Sequence, residues 1–331
     1  MMTSSPPAPL VYFQVLADQH GKPAALLFNI DADVTAAGLA PVAGSDALKE
    51  LAVASPAFFR PDVDPSVAAL LTTAGLQPAA PGAIVHENER LDRERLPAGT
   101  RYVAGTWYMA APPKATGPQA ASRALALQLV QLVANDADTH EIEALLRQDP
   151  TLSYHLLRLV NSLGMGLSRR ITSFSQAILI LGRSQLRRWL NLMLFAAKQG
   201  DPRSAMLLAR VAKRARAIEL LARAAGLDKT AQEQGFMTGM FSLLGVLFGM
   251  PLSDVLAPLA IGDAVQGALL RGEGELGALL QAIEAAEQGR FDATSALLAS
   301  LQVSHEDFNA AVVDATRWML DTVRESQGGH A

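Results

Sequence analysis

The chain has 331 residues, half of them apolar and 18% charged, with a net charge of −4. That balance excludes a disordered polypeptide and gives enough length for two domains. The absence of cysteine excludes disulfides, thiol catalysis and cysteine-ligated metal centres, and fits a reducing cytoplasm.

The N-terminus has no basic region ahead of an apolar stretch, so no signal peptide is expected. Twenty uncharged residues lie between Glu233 and Asp254, but four glycines and Pro251 dilute them, and a buried helix is expected there instead of a membrane span.

Charge is segregated along the chain. Residues 1–146 carry 9 basic and 15 acidic residues, residues 147–223 carry 14 and 3, and residues 224–331 carry 5 and 14. The positive middle can dock a nucleotide, a nucleic acid or an acidic protein. It can equally complement the acidic C-terminal part, or form the solvated faces of helices. No aromatic interleaving or helix-turn-helix pattern supports nucleic-acid binding.

In chain order, VYFQVLA and Lys22–Ile30 predict two strands joined by the turn Asp18-Gln19-His20-Gly21. DALKELAVA predicts a short helix, Ala83–Glu89 a strand end, and Thr100–Ala110 a further strand before the linker Ala111-Pro112-Pro113-Lys114. From Gln119 the spacing is helical. SRALALQLVQLVA opens the series, and Asp138 with Glu141 forms a capping box. Asp149-Pro150 starts a helix through Ser162, Ser173 with Gln176 caps another, and Ser184 starts a third. Asp201-Pro202 precedes a long amphipathic helix to Ala225, stopped by Gly226. A helix from Lys229, a break near Met250-Pro251, and the helices DAVQGALL, LGALLQAIEAAEQ and HEDFNAAVVDATRWMLDTVRES complete an all-helical bundle.

Chemistry-bearing groups are sparse. The six histidines stand at least fifteen residues apart, so no HExxH or histidine–aspartate doublet exists. His86 beside Glu87 and Glu89, and the pair Asp31 and Asp33, have the residue types of a divalent-metal site, although such charges are usually solvated loop groups. His155 reads as an ordinary helical histidine. There is no phosphate-binding glycine loop; Gly164–Gly166 reads as a turn, and Gly235, Gly239, Gly245 and Gly249 read as a close helix contact. Trp189 is expected in the core, with an interface contact as the second reading, and Arg187 and Arg188 are expected to point outward.

The stretch Leu145–Phe195 resembles an HDOD domain through Asp149-Pro150, Leu152, Leu156-Leu157, Asn161-Ser162, Ile171, Ser173, Ala177-Ile178, Leu181-Gly182 and Leu186-Arg187-Arg188-Trp189. The resemblance implies the helical fold of HD phosphohydrolases without their metal-binding residues. Gly235–Leu256 resembles its continuation, and Ser242 and Leu243 stand where an HD enzyme carries its His-Asp doublet. Asn161 and Ser162 are expected to end a helix and hold the next turn. Gly105–Pro113 resembles the last strand and exit of an EAL-type barrel, Ala83–Glu89 the strand before it, and Ala24–Asn29 the first strand, with Ala25 in place of the EAL glutamate. A closed (β/α)₈ barrel needs about 200 residues or more, so residues 1–115 are expected to form a truncated α/β remnant, not a closed barrel. Residues 116–325 are expected to form the all-α HDOD bundle.

With both active sites altered, the resemblance implies no catalysis, no metal and no cofactor. The implied role is a non-catalytic bacterial signalling regulator that contacts a protein partner, with the basic segment 183–223 as the contact region. A cyclic di-GMP sensor without hydrolysis is the alternative, and a metal-dependent phosphodiesterase ranks below both.

Overall fold

The computed structural model describes residues 8–31, 33–112, 118–135, 137–146, 188, 191, 201–259 and 261–327, and elements are numbered over these residues. Strands β1 (Val11–Ala17) and β2 (Pro23–Ile30) form an antiparallel hairpin in which Phe13 pairs with Phe28 and Val15 with Leu26. The predicted turn is present. The Asp18 carboxylate accepts from the backbone N–H of His20 and Lys22 at 2.8 and 2.9 Å, and Gly21 takes a φ of +80°.

Helices α1 (Ala36–Gly44) and α2 (Asp46–Ala54) meet at Ser45, whose hydroxyl donates to Val42 O and accepts from Leu48 N–H. One serine therefore ends the first helix and caps the second. Next come β3 (Ala57–Phe59), α3 (Pro65–Thr73, capped by Asp64), β4 (Gln77–Pro78), β5 (Ile84–His86) and β6 (Tyr102–Ala104).

The six-stranded sheet runs β4-β3-β2-β1-β6-β5, and its edge strands do not pair with each other. β1 is antiparallel to both neighbours, whereas β2-β3-β4 and β6-β5 are parallel. The N-terminal part is thus an open, curled sheet, as the short α/β region implied. The strand expected over Thr100–Ala110 is cut to three residues. Gly105 has a φ of +99°, and a side chain there would lie 2.0 Å from Glu87 O, so the chain turns into a 3₁₀ segment at Trp107–Met109.

The rest is helical among the described residues: α4 (Pro118–Ala134), α5 (Thr139–Leu146), α6 (Ser204–Ala224), α7 (Lys229–Phe241), α8 (Leu244–Phe248), α9 (Leu252–Leu256), α10 (Asp263–Arg271), α11 (Gly274–Glu287), α12 (Phe291–Ser300) and α13 (His305–Gln327). The break expected near Met250-Pro251 separates α8 from α9, with Gly249 left-handed. Among the described residues no helix is long and apolar enough to cross a membrane. The HDOD markers at 149–187, Trp189, the helices expected there, His155 and Gly164–Gly166 lie outside the described residues, as does the expected boundary at 115/116.

The helix ending at Ala225 corrects an expectation. It is not amphipathic: 15 residues of α6 are buried on every side of the helix, Lys213 and Arg214 included. α7, α11, α13 and β1 all pack against it. Gly239 explains how α7 comes so close, since a Cβ there would lie 2.4 Å from the Ala215 Cα. Gly235 and Gly239 make the expected helix contact, facing Ile218 and Ala215 of α6, whereas Gly245 meets the backbone at Met250 and Leu252 and Gly249 ends α8 against Pro112.

Sheet and helices share one apolar core, from Phe13 and Phe28 through Leu221 and Phe241 to Val312. Asn309 of α13 reaches the start of β1, accepting from Val11 N–H at 3.0 Å and donating to Pro9 O at 2.8 Å.

Candidate functional site

The acidic residues marked by sequence do not converge. His86 and Glu89 are exposed around the end of β5, Asp31 and Asp33 are exposed beyond β2, and Glu87 uses its backbone to join β6 and the 3₁₀ turn. Among the described residues no group of three His, Asp or Glu is placed to hold a metal ion.

The face of the sheet turned away from the main core is closed by hydrocarbon. Strand alternation puts Leu16, Ala25, Leu27 and Ala104 on it, all fully buried, with Phe58, Ile84 and Tyr102 packed over them. The Phe58 and Tyr102 rings lie 5.2 Å apart. Ala25, at the position that resembles the EAL glutamate, sits inside this apolar cluster.

Where sheet and bundle meet, the chemistry is ionic. The inward side of α6 carries Arg210, Lys213 and Arg214, and α11 supplies Glu287 and Glu284. Arg210 donates through Nε to Glu287 Oε2 at 3.0 Å and through Nη2 to the same oxygen. Arg214 donates through Nη2 to Oε2 at 2.6 Å and through Nε to Oε1 at 3.1 Å. Burial works to raise the Glu287 pKa, but the two guanidiniums outweigh it and hold the carboxyl at about 2.

Arg214 also reaches Glu284 at 3.0 Å and donates to the Ser242 hydroxyl at 2.8 Å. Ser242 in turn donates to Gly239 O, and Leu243 is buried beside it. A guanidinium therefore stands against the position that resembles the HD doublet.

Lys213 is enclosed. Its ammonium donates to Phe13 O and lies 3.5 Å from the centroid of the Tyr12 ring. Burial pushes its pKa well below the usual lysine value; Glu287 opposes this and Arg210 adds to it. Burial, then Glu287, pushes the Tyr12 phenol upward, so it remains a donor. Arg210 Nη1 also faces the Tyr108 hydroxyl at 3.4 Å. Beside these groups lies a cavity of about 40 Å³, lined by Tyr12, Gln14, Thr106, Tyr108, Arg210 and Lys213 among others.

The basic segment 183–223 is therefore largely engaged inside the molecule, wherever it is described. Arg188, expected to point outward, pairs with Glu219 at 2.6 Å and stacks 4.4 Å from the Phe236 ring centroid. Arg203 bonds Asp201 and Ala110 O, and Arg216 bonds Asp314 at 3.0 Å. The complement between positive middle and acidic C-terminal part, one of three readings of the charge pattern, accounts for Arg210, Arg214 and Arg216, whereas Arg188 and Arg203 pair with Glu219 and Asp201 inside the middle segment itself. That Arg210, Lys213 and Arg214 turn inward was not readable from the sequence, because the carboxylates that meet the two arginines lie 70 to 77 residues away and the Phe13 carbonyl that meets Lys213 lies 200 away.

The family model for the HDOD domain matches residues 118–256. Two curated proteins are similar. Cyclic di-GMP phosphodiesterase CdgJ of Vibrio cholerae is 32% identical over 60% of this chain, and the uncharacterized protein YuxH of Bacillus subtilis is 27% identical over 57%. The chain spans 46% of the length of each. A crystal structure of a putative phosphohydrolase from Shewanella amazonensis is 15% identical, with a TM-score of 0.43 over 61% of this chain and 93% of that one. Residues 118–256 thus match the HDOD domain, and the chain is related to these two bacterial proteins.

Proposed function

We propose that this protein is a non-catalytic regulator that acts by contacting another protein in a signalling pathway associated with cyclic di-GMP. The observation that carries the reading is the Arg214 guanidinium bonded to Ser242. A fixed positive charge against the place of the HD doublet opposes a divalent cation, and Ser242 and Leu243 offer neither imidazole nor carboxylate to bind one. The apolar packing around Ala25 supports the same conclusion for the sheet, since a metal-activated water needs charged ligands and hydrocarbon supplies none. The relationship to CdgJ supports the pathway.

Contact with a partner falls to surfaces other than the inward side of α6, because Lys213 and Arg214 are buried there. The test is incubation of the purified protein with cyclic di-GMP and Mg²⁺ or Mn²⁺, followed by product analysis. No linear dinucleotide is expected above the buffer control. Metal-dependent hydrolysis that Glu87→Gln or Glu89→Gln abolishes would overturn the reading.

A further inference from the structure

We propose that the cavity between β1, the Gly105–Tyr108 turn and α6 is a binding site for one oxyanion group, a phosphate or a phosphoryl headgroup, with Lys213 and Arg210 as its cations.

Five donor-bearing side chains line the cavity. Tyr12, Gln14, Tyr108, Arg210 and Lys213 line one small space, and each carries an N–H or O–H group, whereas Thr106 gives its hydroxyl and its backbone N–H to Asn88 Oδ1. The carboxylate of the lining, Glu287, is already held by Arg210 and Arg214 through both of its oxygens. Three cations, Arg210, Lys213 and Arg214, thus surround one buried carboxylate, and the second, Glu284, is partly open to solvent with its side chain 39% exposed.

Lys213 is the group that an anion would complete. An ammonium has three donors, and among the described residues one goes to Phe13 O while the Tyr12 ring covers another side. Size sets the ligand. A cavity of about 40 Å³ holds roughly three waters at 10–15 Å³ each, which suits a single tetrahedral oxyanion and excludes a whole nucleotide. Thr106 is exposed and Gln14 half-buried, so the rest of a larger molecule would extend past them into solvent. The site joins the sheet to the bundle, and its occupation would tighten that joint.

An incoming anion would oppose the burial that lowers the Lys213 pKa, so binding favours proton uptake by that group. The charged and titratable groups around it are Tyr12 from β1, Tyr108 from the 3₁₀ turn, Arg210 and Arg214 from α6, and Glu284 and Glu287 from α11.

The experiment is isothermal titration of the full chain with orthophosphate in two buffers of different ionisation enthalpy. Saturable heat is expected, with proton uptake given by the difference between buffers. Lys213→Met is expected to weaken binding at least about tenfold and to abolish the uptake, with a cooperative thermal transition showing that it folds. Gln14→Leu, which leaves the ion pairs intact, is expected to weaken binding severalfold and guards against a folding defect in the first variant. A parallel titration with AMP separates the sources. Binding of orthophosphate alone means the free ion, and binding of AMP as well means a phosphoryl headgroup. The proposal is overturned by no saturable heat from either probe up to about 10 mM, tenfold above a 1 mM dissociation constant. Unchanged affinity in both variants overturns it too.

Discussion

The two places where this chain resembles enzymes are filled in opposite ways. On the sheet, Leu16, Ala25, Leu27 and Ala104 pack into hydrocarbon under Phe58 and Tyr102. In the bundle, Ser242 is met by a buried arginine that belongs to a network with Glu284 and Glu287. An apolar filling asks only for volume and shape. An ionic filling asks for every charge to be matched, because an unmatched one is expensive to bury. The first closes one unit on itself, whereas the second ties α6 to α11 and sits against β1.

Glu287→Ala should break the ionic side with the largest effect, about 3–5 kcal/mol, because it leaves Arg210 and Arg214 buried without their carboxylate. Urea unfolding at neutral pH measures it. The pH dependence follows from the direction of the shift. Glu287 is depressed from 4.5 to about 2 in the folded protein. Its stabilisation is therefore fully present above 4.5 and is lost as pH falls through about 2.

Leu27→Ala should cost about 2–5 kcal/mol on the apolar side, with no dependence on pH between those two values. A Leu27→Ala penalty that fades with acid as Glu287→Ala does would erase the distinction between the two fillings. The smallest effect belongs to a surface contact. Arg317 of α13 pairs with Glu50 of α2, but both side chains are more than half exposed. Arg317→Ala should cost about 0–1 kcal/mol, detectable as a slight fall in the midpoint of the same denaturation curve.

The sequence marked much of this fold where local chemistry decides it. The β1–β2 hairpin follows from two short apolar runs joined by a turn that Asp18 and Gly21 shape, and α2 begins at its predicted residue because Ser45 caps it. It overran β6 because nothing local announces that Gly105 must give way to the Glu87 carbonyl, which arrives from another strand. It misjudged α6 for a related reason. Helical periodicity assigns Arg210, Lys213 and Arg214 to water, and only partners at 284 and 287 and the carbonyl of Phe13 turn them inward. Of the candidate site, the charge imbalance was legible. The cavity was not, since its walls come from β1, the turn at 105–108, α6 and α11, which only the folded chain brings together.

Asn309 bears on the order in which the molecule can assemble. Its side chain holds Val11 N–H and Pro9 O across 298 and 300 residues of chain. During synthesis the first strand therefore waits for nearly the whole polypeptide before α13 can cover it, and such distant pairing slows folding and prolongs exposure of apolar surface. A chain interrupted before α13 would present Val11 and Phe13, both fully buried in the finished protein, to whatever it meets first.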